Sequence, residues 1–289
     1  MNEPLFSGVC TALVTPFLQD RINYPMLQQL IRRQINAGVN AVVLAGTTGE
    51  SATLSDLEKL ELIQKGKQYA GNECLIIAGT GSNSTEHAIA LSKEAEEAGA
   101  DALLIVSPYY NKSTDEGLFR HYMSIAHNVS IPIILYNVPS RTGVDIPVSV
   151  YQRLSAIPNI AGVKEAGTDM GKIIRIRRSC HPSFHIWSGN DELTLPVISL
   201  GGKGVISVTS NVYPLEMQQL CHMALNGNYE AAAVLQQELK PIQEALFCEI
   251  NPIPVKAAMS FIGYDCGKCR MPLTELAPQH WETLKAKLQ

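Results

Sequence analysis

Short apolar runs rich in β-branched residues recur along the chain at a regular beat. They are GVCTALVTP from residue 8, AVVLAG from 41, CLIIAGTG from 74, ALLIVSP from 102, IPIILYNVP from 131, IAGVKEA from 160, FHIWSGN from 184 and GVISVTS from 204. Runs that are apolar almost throughout, rather than alternating, predict strands buried on both faces, as in a parallel sheet. Helical signals lie between them. Leu27, Leu30, Ile31 and Ile35 follow i, i+3, i+4, i+8 spacing within 24–37, which is one face of a helix. Ser55 followed by Glu58, and Ser113 followed by Glu116, read as capping boxes. Gly38 and Gly99 fall where a helix ends and the next strand begins, the position that favours a left-handed glycine.

Strands alternating with helices in this way, eight times over, predict an α/β fold of the (β/α)8 (TIM) barrel class. The competing arrangement is an open doubly wound sheet, which usually carries G-x-G-x-x-G after its first strand. That turn here reads LVTPFLQD, and GTGSNS after the third run is only a partial look-alike. The beat ends near residue 225. The expected division is therefore a barrel over 1–225 that carries the active site, followed by a C-terminal helical extension over 226–289. The extension comprises YEAAAVLQQELKPIQEALF, PIPVKAAMSFIG and TELAPQHWETLKAKL. So short a segment is not expected to fold alone, so it packs on the barrel or lines one side of its mouth.

Composition narrows the classes of function. The chain has 289 residues, 46% hydrophobic and 17% charged, with net charge −4 and the signs interspersed. That describes a globular protein with no basic stripe for nucleic acid. No apolar stretch reaches the ~18 residues that span a bilayer. The N-terminus, MNEPLFSGVCTALVTPF, lacks the basic-then-apolar order of a signal peptide. The expectation is a soluble cytoplasmic protein. Seven scattered cysteines suit reduced thiols in a cytosol. Cys266 and Cys269 form a CxxC pair, but no second pair or histidine set follows, so no metal site is expected and the role of the pair is open.

In a barrel the chemistry gathers at the C-terminal ends of the strands. The polar residues expected there are GTTGES (46–51), SPYYNK (107–112), YNVPSRTG (136–143), Lys164, SGND (188–191) and SVTSN (207–211). Strand alternation puts Ile160, Gly162 and Lys164 on one face and Val163 and Glu165 on the other. Tyr136 shares a face with Ile134, and meets the lysine at the mouth if that face points inward. A free lysine titrates near 10.4. Burial disfavours the charged form and exposes a nucleophilic amine, which forms Schiff bases with carbonyl compounds. The protonated imine withdraws electrons, and the adjacent carbon becomes an enamine nucleophile. A nearby phenol can carry the protons. Thr47 and Thr48 lie between Gly46 and Gly49, and glycines let backbone N–H groups approach an anion. Arg141 can clamp a carboxylate. Each residue also has a plain reading: a solvated lysine, a core tyrosine, a tight turn, a surface ion pair. Their convergence at the strand ends favours chemistry.

Taken in order along the chain, GTTGES, YYN, YNVPSRTG, GVKEA, SGND and GVISVTSN resemble the dihydrodipicolinate synthase branch of the class I aldolase, N-acetylneuraminate lyase superfamily. The likeness runs from GVCTALVTPF to NPIPVKAAM. It implies condensation of pyruvate with L-aspartate 4-semialdehyde to 4-hydroxy-tetrahydrodipicolinate, in diaminopimelate and lysine biosynthesis, without metal or organic cofactor. By resemblance Lys164 is the Schiff-base lysine and Tyr136 the acid/base. Thr48 links Tyr136 to a second tyrosine, Tyr110, supplied by a neighbouring subunit. Thr47 and Thr48 hold the pyruvate carboxylate, Arg141 holds that of the semialdehyde, and the backbone around Gly189 and Ile206 lines the pyruvate pocket. A homo-oligomer is implied, usually a tetramer built as a dimer of dimers. Sister enzymes on this scaffold handle sugar acids, and the sialic acid lyases resemble a GSTGE form of the strand-two loop; the Thr-Thr pair and Arg141 favour a small dicarboxylate-like partner. A binding-only homologue would lack the lysine or tyrosine, and both are present. Many family members bind lysine as a feedback inhibitor. The matching positions are Ser51, Ala52, Leu54, Asp56, Lys59, Asn83, His87 and Tyr109. Lys59 stands in place of a histidine and His87 in place of a glutamate that would hold the ligand's ammonium. A cation there is electrostatically adverse, so weak or absent inhibition by lysine is expected.

Overall fold

A computed structural model describes residues 3–288; Met1, Asn2 and Gln289, the ends of the two expected ranges, lie outside it. All eight apolar runs are strands: β1 (Gly8–Ala12), β2 (Ala41–Leu44), β3 (Leu75–Gly79), β4 (Ala102–Val106), β5 (Ile133–Asn137), β6 (Ile160–Glu165), β7 (His185–Ser188) and β8 (Gly204–Ser207). They pair in parallel and in chain order, and β1 closes on β8 to complete a barrel. A TIM barrel needs helices outside to cover the sheet. These are α1 (Tyr24–Asn36), α2 (Asp56–Ala70), α3 (Thr85–Glu97), α4 (Asp115–Ala126), α5 (Val148–Leu154), α6 (Met170–Ser179), α7 (Thr194–Ser199) and α8 (Pro214–Leu225).

Two buried layers result. Between sheet and helices lie residues such as Leu27, Leu30, Ile31, Ile133, Leu135 and Val163. Inside the barrel lie Cys10, Val43, Ile77, Leu104, Ile134, Tyr136, Trp187 and Ile206. Burying each large aliphatic side chain contributes about 1.5–3 kcal/mol. The N-terminal segment enters the interior too: Phe6 stacks on Trp187 at 4.9 Å between ring centroids and accepts its indole N–H at 3.2 Å.

Local detail departs from expectation at three places. On α1 the buried fourth position is Gln34 rather than Ile35. Its amide donates to the Ser210 carbonyl at 3.0 Å and accepts the Thr11 hydroxyl at 2.7 Å, so a polar group is buried fully bonded. Ser55 and Glu58 do form a reciprocal capping box at α2. At α4, however, the cap is Thr114, whose hydroxyl accepts from Gly117 N–H at 3.2 Å, not Ser113. Glu116 instead pairs with Arg120 and Arg153. The third departure bears on the site. Ile133 pairs with Ile160 but Ile134 pairs with Gly162, so a bulge at Ala161 breaks the alternation of β6. Ile160 therefore packs in the outer layer, while Gly162 and Lys164 share the face that pairs with Ile134 and Tyr136. A bulge re-aims every residue after it. Gly162 is required there: at φ +154° an added Cβ would lie 2.0 Å from the His185 carbonyl oxygen.

After α8 come three more helices, α9 (Tyr229–Ala245), α10 (Ile253–Phe261) and α11 (Pro278–Ala286), which match the three segments expected beyond 225. α9 packs on α7 and α8. The stretch that includes α10 reaches over the mouth of the barrel, as its contacts with the site make plain.

Candidate active site

Tyr136 and Lys164 face each other across β5 and β6, both pointing inward. Lys164 Nζ sits 4.4 Å from the centroid of the Tyr136 ring. Lys164 is 5% exposed and Tyr136 7%. Among the described residues no carboxylate pairs with Lys164. Its sequence neighbour Glu165 points outward, where Lys172 matches it. A buried amine left without a counter-ion is costly as structure, which favours a chemical reading of Lys164 over a solvated one. The thiol of Cys10 shares this interior, and burial holds it well above its ordinary value, so it stays neutral.

Tyr136 also lines a cavity of about 660 Å³, together with Thr47, Leu104, Val106, Arg141 and Asn251 among others; Lys164 and Thr48 are not part of its lining. The cavity is in the range of a small-molecule site. Arg141 lies on a helical turn (Pro139–Thr142) directly after β5. Its guanidinium donates to the Asn251 carbonyl at 3.1 Å, and among the described residues no carboxylate pairs with it. It is free to take an anion.

The GTTGES loop brings Thr47 to the cavity wall. Thr48 is 2% exposed, and its hydroxyl accepts from Asn251 Nδ2 at 3.0 Å. So its partner in this chain is Asn251 rather than Tyr136. Glu50 closes the loop in the left-handed region at φ +58°. Its carboxylate is fully buried and takes Lys256 Nζ at 2.8 Å and Arg270 N–H at 2.8 Å. Lys256 lies on α10, so the extension holds the loop in place. The threonines were legible as a glycine-flanked turn, but their support was not: Asn251, Lys256 and Arg270 lie more than two hundred residues away.

Neither Gly189, which is half-buried, nor Ile206 is part of the cavity lining. Ile206 packs in the barrel interior with Tyr136. Gly189 donates its N–H to Glu165 O at 2.7 Å, and a Cβ on it would meet Ala166 at 2.6 Å. Tyr110 stands apart: 93% exposed, at φ +70°, outside the cavity lining. Bonds from Asn83 Nδ2 to the Tyr109 carbonyl (3.2 Å) and from Asn111 Nδ2 to the Asn83 carbonyl (2.9 Å) brace its loop.

The cavity has an arm lined by Ser51, Ala52, Leu54, Asp56, Lys59, His87 and Tyr109, which gathers most of the positions matched to a lysine-binding site. Asp56 is already occupied: Lys59 Nζ lies at 3.1 Å and His87 Nε2 at 2.8 Å. Burial pushes its carboxyl up, but the bonds from His87 and Lys59 outweigh this and hold it below the usual range. The CxxC pair lies elsewhere. Burial pushes the thiols of Cys266 and Cys269 up to about 12, and both are free. Among the described residues no His/Cys/Asp/Glu cluster has the makings of a metal site, and no helix is long and apolar enough to cross a membrane.

Comparison with known proteins places the whole chain. Residues 5–289 match the model of the dihydrodipicolinate synthetase family. A 4-hydroxy-tetrahydrodipicolinate synthase of Acetivibrio thermocellus is 44% identical over 290 residues, covering 100% of this chain and 98% of that protein. The crystal structure of the chloride-inhibited dihydrodipicolinate synthase from Acinetobacter baumannii, complexed with pyruvate, superposes with a TM-score of 0.96 at 42% identity, over 98% of each chain. That of the enzyme from Cyanidioschyzon merolae with lysine bound has a TM-score of 0.96 at 39% identity, covering 99% of this chain and 98% of that one. The likeness is one of fold and sequence together over nearly the full length, and the chain belongs to the dihydrodipicolinate synthetase family.

Proposed function

We propose that the chain is a 4-hydroxy-tetrahydrodipicolinate synthase, condensing pyruvate with L-aspartate 4-semialdehyde in the cytoplasm for lysine and diaminopimelate biosynthesis. The observation that carries this reading is the buried, carboxylate-free Lys164 against the ring of Tyr136, which itself lines a cavity with an arginine that no carboxylate pairs. In this reading Lys164 Nζ attacks the keto carbon of pyruvate. Tyr136 protonates the departing oxygen, water leaves, and an imine forms. The iminium is the electron sink, so no metal or organic cofactor is needed. Loss of a proton from the methyl carbon gives the enamine, which adds to the aldehyde carbon. The semialdehyde's own amine then displaces Nζ, closing the ring and freeing the lysine.

Thr47 and Thr48 hold the pyruvate carboxylate, Gly189 and Ile206 shape its pocket, and Arg141 takes the carboxylate of the second substrate. Tyr110 serves the site of a second copy of the chain. A bulky aromatic held in the left-handed region, almost wholly exposed on a braced loop, has no work to do within its own protomer. The reading is therefore of a homo-oligomer, a tetramer built as a dimer of dimers, in which the barrel over 1–225 carries the chemistry and 226–289 completes the mouth. The arm around Asp56, already filled by Lys59 and His87, makes this enzyme weakly sensitive or insensitive to lysine.

The test is borohydride trapping. Protein incubated with pyruvate and reduced is expected to carry one adduct, mapped by peptide mass spectrometry to Lys164, and to lose it in Lys164→Ala. A folded wild-type protein that traps nothing at Lys164 rules the reading out.

A further inference from the structure

Behind the reactive pair lies a second cluster, on the outer side of the barrel, that the mechanism above does not use. Asn137 follows Tyr136 and Glu165 follows Lys164, and the two face each other in register. Both are buried. Asn137 Nδ2 donates to Glu165 Oε1 at 2.7 Å and to Asp145 Oδ1 at 2.7 Å, and its Oδ1 accepts from Ile146 N–H at 3.0 Å. Every hydrogen-bonding site its two donors need is thus filled. Glu165 Oε1 also accepts from Gly167 N–H at 2.8 Å, and Oε2 from the Tyr151 hydroxyl at 3.3 Å. Lys172 Nζ, from the first turn of α6, lies 3.2 Å from Glu165 Oε2 and also bonds Asp145.

We infer that Asn137 is a positioning residue for the condensation, and that Glu165, Asp145 and Lys172 form with it a clamp that aligns the three functional side chains from outside the barrel. In strands successive side chains point to opposite faces. A bond between the outward pair, Asn137 and Glu165, therefore sets the height of the inward pair, Tyr136 and Lys164. The bulge at Ala161 makes this necessary, because the strand ladder is irregular just before Lys164. The third functional residue, Arg141, lies on the loop from 138 to 146, and Asn137 ties that loop down at Asp145 and Ile146. A hydrogen-bonded network with Asn137, Glu165 and Lys172 buried holds a defined geometry, and sub-ångström alignment is what such chemistry requires. Of the clamp members only Asp145 is substantially exposed; it holds the arginine loop and reaches the lysine strand only indirectly, through Asn137 and Lys172.

This inference rests on the Schiff-base reading, and the experiment separates the two. Wild type, Asn137→Ala and Asp145→Ala are assayed well below their unfolding temperatures, for the rate of pyruvate trapping on Lys164 and for kcat and KM with both substrates. Wild-type trapping at Lys164 is the control, and its absence overturns the proposed function rather than the clamp. With it present, Asn137→Ala is expected to slow trapping tenfold or more and to lower kcat/KM by at least as much. Asp145→Ala is expected to raise KM for the semialdehyde severalfold with trapping unchanged, a split that a loss of stability alone does not produce. A folded Asn137→Ala that traps and turns over like wild type overturns the clamp. If Asn137→Ala does not fold, Asp145→Ala decides: an unchanged semialdehyde KM overturns it equally.

Discussion

At the level of single residues, charge placement separates Lys164 from the other deeply buried lysines. Lys164, Lys172 and Lys256 are all buried. Lys172 and Lys256 each sit on a carboxylate, and Lys164 sits on a phenol ring. An ammonium inside a protein is stable when paired, so the unpaired one is the candidate nucleophile. The same reasoning applies to the arm around Asp56. A bound lysine would bring a further ammonium to a carboxylate that two nitrogens already hold within 3.1 Å. Titration of L-lysine into the rate assay is therefore expected to leave the rate nearly unchanged up to millimolar concentrations. Half-inhibition in the micromolar range would contradict the assignment.

At the scale of elements, helix packing carries a pH dependence of its own. His121 on α4 meets Thr85 at the start of α3, its Nδ1 lying 2.9 Å from the threonine hydroxyl. Burial lowers its pKa to about 4. The folded protein thus keeps this imidazole neutral, while the unfolded chain takes a proton near 6.5. Its contribution is fully present above pH 6.5 and is lost as pH falls from there toward 4. The loss amounts to about 3 kcal/mol at most if the full shift is expressed. Urea unfolding across that window is expected to show stability falling with pH in wild type and falling less steeply in His121→Gln. Parallel curves for the two proteins would assign the effect to other groups.

Across the whole molecule, the barrel and the helices after residue 225 meet at the candidate site. Asn251 bonds Thr48 and Arg141, Lys256 bonds Glu50, and Arg270 bonds Glu50 and Glu58. The carboxyl of Glu58 is held down to about 2 chiefly by that arginine. The strand-two loop is thus positioned by chain more than two hundred residues downstream. Lys256→Met removes the cation and leaves Glu50 buried and unpaired, which costs about 3–5 kcal/mol. Thermal unfolding is expected to fall accordingly, with KM for pyruvate rising as the threonine loop loosens. Lys268→Met, which breaks only the exposed pair with Glu275, is expected to unfold like wild type. Equal melting of the two variants would show that the buried pair is not what joins extension to barrel.

Local pattern specified the eight strands, the helices between them and the three that follow, because apolar period, caps and breakers are properties of a short stretch of chain. It also placed Lys164, Tyr136, Thr47 and Arg141 at strand ends, since in a barrel the order of elements dictates where their ends meet. Packing between distant segments settled what no local pattern encodes. The bulge at Ala161 turned Ile160 outward, because register is a property of two strands and not of one. Thr114 replaced Ser113 as the α4 cap, a shift of one residue that depends on the approach of the loop. Asn251, Lys256 and the Asn137–Glu165 pair were unreadable as site residues, because each acts through partners brought near only when the barrel closes. Identity in such cases lies in which charge meets which, and that is settled by packing.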